Sequence, residues 1–127
     1  MRAFKTKSFA RWADGDGLGD EALAAAVAEM NQGLVDVHLG GQVVKKRVAL
    51  PGRGKRGGAR TLLAFKQGEK AFFVYGFAKN ERANISDKEL KALKLLAKEL
   101  LNYPAASLTR AIKAGELIEI EVDDDGN

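Results

Sequence analysis

The sequence predicts an α+β fold in which a small, mostly antiparallel sheet carries two N-terminal helices and a C-terminal helix. Apolar residues recur at helical spacing before residue 35 and after residue 85, and three runs rich in Val, Phe, Leu and Thr lie between them. The chain has 127 residues, 46% of them hydrophobic, which is enough for one core. We therefore predict a single domain over 1–127, with a core of about 2–102, an extension of about 103–122 and an acidic tail at 123–127.

The N-terminal part of the chain predicts a strand and two helices. A strand at Arg2–Lys7 leads into a short helix capped by Ser8, and the glycines within 14–19 predict a loop. A second helix at 20–32 begins with two acidic residues, which suit the positive end of its dipole, and Gly33 follows its C-terminus. The apolar stripe of this helix is Leu23, Val27 and Met30.

The middle of the chain predicts three strands: Val43–Leu50, Ala59–Lys66 and Ala71–Lys79. The segment 51–58 between the first two contains four glycines, so we predict a loop there. The last two strands are joined by a short hairpin connection at 67–69. The segment 72–78 is apolar on both faces, which is typical of a central strand.

The C-terminal part predicts two helices and a strand. Ser86 and Glu89 have the spacing of a capping box that opens a helix ending near residue 102. Pro104 suits the first turn of a second, short helix, and the alternation at 117–122 predicts a last strand. The predicted order is β-α-α-β-β-β-α followed by an α-β extension.

The composition excludes several classes of site. The chain contains no cysteine and one histidine, which excludes disulfides, cysteine nucleophiles and two-histidine zinc sites. We expect that histidine, His38, to be structural, because apolar residues flank it outside the basic segment. No apolar stretch is long enough for a transmembrane helix or a signal peptide. We therefore expect a cytoplasmic protein with no cofactor and no membrane partner, whose chemistry uses Lys, Arg, Asp, Glu, Ser, Thr or Tyr.

Positive charge is concentrated in one segment. Residues 42–66 include eight basic residues and no acidic one, whereas 14–36 and 116–127 each include six acidic residues and no basic one. A focused positive field is typical of a surface that binds a polyanion. The alternative interpretation is a basic hairpin whose charges are solvated one by one.

Strand alternation places the basic residues on faces of the sheet. Lys45 and Arg47 point the same way, and Lys46 points to the other face. Arg60 follows on the neighbouring strand, where it can join the first two. The end of the third strand can deliver further cations to the same face. The cations that we predict to converge on an anion are Lys45, Arg47, Arg60 and Lys79 or Arg82.

The glycine-rich loop at 51–58 is also basic. It lacks the spacing of a nucleotide-binding P-loop and precedes a strand rather than a helix. A flexible basic loop instead suits a polyphosphate backbone, because it can follow an irregular surface.

Three segments occur in a characteristic order: the basic strand from Lys45, the loop and arginine at Gly52–Arg60, and Phe73–Arg82 before the helix at Ser86. Together they resemble the RelE family of toxin–antitoxin toxins, and most closely its HigB-like branch, which carries a G-x-G-K-x-G-G-x-R loop. The resemblance covers roughly 2–102 and implies a RelE-like fold. Members of this family are typically ribosome-dependent mRNA endoribonucleases that an adjacently encoded antitoxin holds inactive.

The resemblance implies catalytic positions at five basic residues: Lys45, Arg47, Arg60, Lys79 and Arg82. The residues that we expect to contact RNA in addition are Lys46, Arg53, Lys55, Arg56, Lys66 and Asn80. Two positions depart from the family pattern. Asn80 stands where RelE has a second catalytic arginine, and Ser86 stands where RelE has the tyrosine that stacks on the substrate base.

The chemistry expected of such a site is metal-independent RNA cleavage. Arginine cannot act as a base, so Arg47, Arg60 and Arg82 would stabilise the charge of the phosphorane. Neighbouring positive charges lower the pKa of a lysine, which makes Lys45 or Lys79 a possible base for the 2′-hydroxyl. A site of this kind is slow on free RNA, and a ribosome that bends the message into an in-line geometry would supply much of the missing rate.

The expected function is therefore a ribosome-dependent endoribonuclease that inhibits translation, with the ribosome, mRNA and a small helix-turn-helix antitoxin as partners. One alternative is a ParE-like inhibitor of a DNA topoisomerase, since the same superfamily contains gyrase poisons. Another is a non-catalytic relative that binds RNA.

Overall fold

The computed structural model describes residues 1–50, 54–78 and 84–122, and for 54–57 it describes the backbone alone. The strands in these ranges are β1 (Arg2–Thr6), β2 (Val37–Gly40), β3 (Val43–Leu50), β4 (Gly54–Lys66), β5 (Lys70–Ala78) and β6 (Leu117–Ile120). The helices are α1 (Lys7–Gly15), α2 (Asp20–Asn31), α3 (Asp87–Leu101) and α4 (Ala105–Lys113). The predicted α+β class, with a mostly antiparallel sheet, is confirmed.

The strands form one sheet in the order β2-β3-β4-β5-β1-β6. Its neighbours are antiparallel except for β1 and β5, which run parallel. The prediction that 72–78 belongs to a central strand is confirmed, because β5 lies between β4 and β1 and Phe72 and Phe73 are fully buried. The predicted last strand is also confirmed, and it pairs with β1 at the edge of the sheet.

Helices cover both faces of the sheet. The helix α2 packs on one face, and its predicted stripe of Leu23, Val27 and Met30 is fully buried there. On the other face, the rings of Phe4 and Phe72 stack at 4.9 Å within the core that α3 and α4 complete. Alternating side chains of each strand therefore divide between an α1/α2 face and an α3/α4 face.

Two helix starts show how local sequence decides the element boundaries. The capping box predicted for α3 is confirmed: the Glu89 N–H donates to Ser86 Oγ at 3.1 Å, and the Ser86 N–H donates to Glu89 Oε1 at 2.8 Å. The predicted cap of α1 is wrong, since Thr6 rather than Ser8 accepts the hydrogen bond from the Phe9 N–H. The helix also continues through Gly15, inside the segment predicted as a loop, because one glycine in a last turn is tolerated.

Two strand predictions need correction. Residues 54–58 were predicted as loop because of their glycines, but β4 begins at Gly54, which pairs with Leu50 of β3. Ladder hydrogen bonds between backbone groups hold this segment and need no side chains. The strand β2 was not predicted, because it is only four residues long and ends in glycine. His38 lies in this strand. The remaining part of the predicted loop, 51–53, lies outside the described residues.

Candidate functional site

Two neighbouring strands bring three of the predicted cations to the α3/α4 face. Lys45 and Arg47 belong to β3, and Arg60 of β4 pairs directly with Arg47. Paired residues of antiparallel strands share a face, with Cβ atoms about 4.5–5.5 Å apart. Val43 of β3 and Ala64 of β4 show which face this is, because strand alternation puts them on the same side as the cations and they pack in the α3/α4 core. The structure thus brings Lys45, Arg47 and Arg60 together, and these three residues are called the cationic site below.

Arg47 is held by a carboxylate that the sequence did not single out. The backbone N–H of Arg47 donates to Asp36 Oδ2 at 2.6 Å, and Nε and Nη2 both lie 3.3 Å from Oδ1. Asp36 directly precedes β2, whose pairing with β3 begins at Val37 and Lys45. Just before β2 begins, the Asp36 carboxylate therefore accepts the hydrogen bond that a backbone carbonyl would accept from Arg47 if the strand continued. The same carboxylate orients the Arg47 guanidinium.

Arg60 differs from Arg47 in its surroundings. It is half-buried, and its Nη1 is buried without a hydrogen-bond partner among the residues that the structure describes. Within the same ranges, neither Lys45 nor Arg60 forms an ion pair. A buried guanidinium N–H without an acceptor is unfavourable, and an anion bound beside it would supply the missing acceptor.

Tyr75 and Phe77 extend the site on β5. The register of β4 and β5 shifts between Leu62 and Leu63, so that Tyr75 pairs with Leu62 and Phe77 pairs with Arg60. Both aromatic residues therefore share the face of the cationic site, with ring centroids 6.0 Å apart. Sequence reasoning missed Tyr75, although its position two residues before Phe77 was a signal that the two share a face.

Two other predicted residues lie apart from the cationic site. Lys46 is 4% exposed on the α1/α2 face, where its Nζ contacts Glu29 Oε1 at 2.7 Å and the Leu34 carbonyl oxygen at 2.9 Å. Lys66 is exposed and forms an ion pair with Glu69. It lies six residues along β4 from Arg60, which is about 20 Å in an extended strand. We leave both out of the site, because neither can contact an anion bound at Arg60.

The remaining predicted positions lie outside the described residues: Lys79, Asn80, Arg82 and Arg53, together with the side chains of Lys55 and Arg56. His38 is exposed on the edge strand β2 and pairs with Val44, so it lies on the face opposite Lys45.

The described ranges contain no group of three or more His, Asp or Glu side chains placed to hold a metal ion. None of their helices combines the length and the apolar character that crossing a membrane requires.

Comparisons with known proteins give one family. The family model described as the RelE toxin of the RelE/RelB toxin–antitoxin system matches residues 1–120. A comparison with curated proteins finds no match. The family match covers almost the whole chain, and the mostly antiparallel sheet with helices on both faces, as the described residues show it, agrees with a RelE-like fold. The chain therefore belongs to the RelE family and is the toxin of a toxin–antitoxin system, the kind of toxin that pairs with an antitoxin.

Proposed function

We propose that this toxin is a metal-independent, ribosome-dependent mRNA endoribonuclease that inhibits translation in the cytoplasm. The observation that carries the proposal is the cationic site, and above all the buried Nη1 of Arg60 beside a second arginine. Three cations on one sheet face suit a phosphate that gains negative charge as it is attacked. The proposed partners are the ribosome, mRNA and an adjacently encoded helix-turn-helix antitoxin, as in the HigB-like branch.

The three residues of the cationic site have distinct proposed roles. Arg60 and Arg47 stabilise the phosphorane, because guanidinium groups keep their protons and donate several hydrogen bonds. Lys45, on the same face, is the candidate for proton transfer from the 2′-hydroxyl. Asp36 orients Arg47 through the contacts described above. Lys79 and Arg82 remain proposed catalytic residues, and Arg53, Lys55, Arg56 and Asn80 remain proposed RNA contacts, all on the strength of the sequence.

Ser86 favours a second candidate, a relative that binds RNA without cleaving it. Its hydroxyl accepts the hydrogen bond that caps α3, so Ser86 is part of a helix start and offers no ring for stacking. If the tyrosine of the RelE pattern is indispensable, the chain binds RNA and leaves it intact. Cleavage of the message in cells separates the two candidates.

The test compares Arg60→Ala with Lys66→Ala, a change of an exposed cation farther along the same strand. We expect wild type and Lys66→Ala to arrest growth and to produce cuts within translated codons, mapped by primer extension. Arg60→Ala should lower the cleavage rate about 100–1000-fold, the usual effect of removing one donor to a developing oxyanion. An Arg60→Ala protein with a native circular dichroism spectrum and undiminished cleavage contradicts the assignment. DNA damage without message cleavage supports a topoisomerase inhibitor instead.

A further inference from the structure

A groove of about 380 Å³ lies between α1 and the second half of β5. Its walls are Ser8, Phe9 and Trp12 on one side and the segment 74–77 on the other. The groove exists because β1 pairs with β5 only as far as Lys5 and Phe73. Beyond Phe73 the chain that follows β1 turns into α1, so a helix rather than a strand lies beside this part of β5.

The groove is bordered by aromatic rings from both faces of the sheet. The rings of Phe9 and Trp12 lie 5.5 Å apart on the α1/α2 face, and Tyr75 and Phe77 lie on the α3/α4 face. The flat rings approach the same stretch of β5 from its two sides. Such a surface suits a flat, apolar ligand that can contact rings.

The position of Trp12 depends on Gly76. A β-carbon at residue 76 would lie 2.6 Å from Trp12 Cε3 and 2.7 Å from Cη2, well inside van der Waals contact. The indole therefore rests directly on the backbone of β5, and any larger residue at position 76 must displace it.

The groove adjoins the cationic site at Phe77. Phe77, which lines the groove, pairs directly with Arg60, and neighbouring strands are about 4.8 Å apart. A nucleotide joins an anionic phosphate to a flat base, and the protein presents a buried guanidinium and an aromatic groove at neighbouring positions.

We propose that this groove binds an unpaired nucleobase of the RNA whose phosphate contacts Arg60. The inference rests on the proposed function and extends it by assigning a base-binding subsite. Proteins hold the bases of single-stranded RNA by stacking them on aromatic side chains, and the Ser8 hydroxyl offers a hydrogen bond to a base edge. The subsite lies on α1 and β5, away from Ser86, the position where the family pattern has a stacking tyrosine.

The fluorescence of Trp12 tests the proposal directly, because Trp12 is the only tryptophan of the chain. The probes are a short single-stranded oligoribonucleotide and an abasic analogue with the same number of phosphates, added to the full-length protein. We expect the first to quench Trp12 and to bind about 5- to 100-fold more tightly, the range for losing one stacked base. Equal quenching by both probes, or saturable binding without quenching, overturns the proposal.

Two glycine substitutions provide the matched comparison. Gly76→Ala should displace the indole and abolish the difference between the two probes. Gly15→Ala in α1 should preserve it, since a β-carbon there meets no atom within 4 Å. If Gly76→Ala fails to fold, the wild-type comparison of the two probes still decides. Base-dependent quenching without message cleavage would support the base-binding groove and contradict the proposed nuclease activity. Message cleavage without base-dependent quenching would support the nuclease activity and contradict the base-binding groove.

Discussion

Lys45 and Lys46 are neighbours in sequence, but their side chains have opposite surroundings. Lys45 is half-buried on the face of the cationic site, whereas Lys46 is buried on the other face beside Glu29. Strand alternation alone separates them. Replacing each of these adjacent lysines with alanine therefore distinguishes a lysine that binds RNA from one that stabilises the fold.

We expect Lys45→Ala to change the free energy of unfolding by less than about 0.5 kcal/mol. It should reduce the salt dependence of RNA binding by about 0.7 units of slope, the contribution of one phosphate contact to a single strand. Lys46→Ala should leave that slope unchanged but lower the free energy of unfolding by about 2 kcal/mol, because Glu29 loses its buried ion-pair partner. The loss is moderate because the Glu29 carboxylate remains partly exposed to solvent. Urea denaturation and binding titrations at several salt concentrations measure both. A normal stability of Lys46→Ala would contradict the structural role.

A second pair, Arg2 and Glu119, links stability to pH. Arg2 donates two hydrogen bonds of 2.9 Å to Glu119, and these hold the pKa of the Glu119 carboxyl below its ordinary value of 4.5. Unfolding restores the ordinary value, so the pair stabilises the protein above that pH, and the contribution is lost as the pH falls through the folded pKa.

Glu119→Gln should therefore be less stable than wild type at pH 7, and the difference should shrink as the pH falls below about 4.5. Urea denaturation over this pH range measures the effect. In the Glu119→Gln background, Arg2→Gln should add no further pH dependence. A difference that stays constant with pH would show that the ion pair is not its source.

At the scale of elements, β6 is part of the core of the fold. Leu117 and Ile120 are almost fully buried, and β6 covers the outer edge of β1. The acidic C-terminal segment could instead be interpreted from its charge as an internal brake that folds over the basic face. Its strand pairing, at the opposite edge of the sheet from β2, argues against that interpretation for 117–120.

Truncation after Gly115 should therefore yield an insoluble or unfolded protein, because it exposes the edge of β1 and removes two buried apolar side chains. Solubility and circular dichroism of the truncated chain measure this outcome. A truncated protein that stays folded and becomes more toxic without antitoxin would instead support the brake.

Elements with strong local signals were predictable from the sequence. The capping box at Ser86 fixed the start of α3, and the apolar stripe of α2 identified its buried face. The strand β2 and the first residues of β4 were not predictable, because pairing with β3 holds them rather than their own side chains. Tertiary pairing overrides the preference of glycine for loops there.

The candidate site divides in the same way. Strand alternation and a hairpin suffice to bring Lys45, Arg47 and Arg60 together. Asp36 could not be identified, since its contact with Arg47 depends on where β2 begins. Tyr75 depends on the register shift between β4 and β5, which no local pattern marks.

At the scale of the molecule, the acidic and basic segments of the sequence compensate each other. Among the described residues, two ion pairs join the basic segment to an acidic one, Lys46 with Glu29 and Arg47 with Asp36. Two more join the first strand to acidic segments, Arg2 with Glu119 and Lys5 with Asp20. The sequence alone suggests an uncompensated block of eight positive charges at 42–66. Among the described side chains of that block, Lys46, Arg47 and Lys66 pair with carboxylates, whereas Lys45 and Arg60 do not.

The position of β1 between β5 and β6 has a consequence for how the protein folds during its synthesis. Ala3 pairs with both Ala71 and Ile120, and the contact of Arg2 with Glu119 joins residues 117 positions apart. Contacts so distant in sequence form late, because the chain between them must first be made and ordered. While the ribosome is still adding the last helix, the first strand has no neighbour on one side. The sheet is complete only when synthesis has passed residue 120, so β1 keeps an unpaired edge, open to pairing with another strand, until β6 has been made.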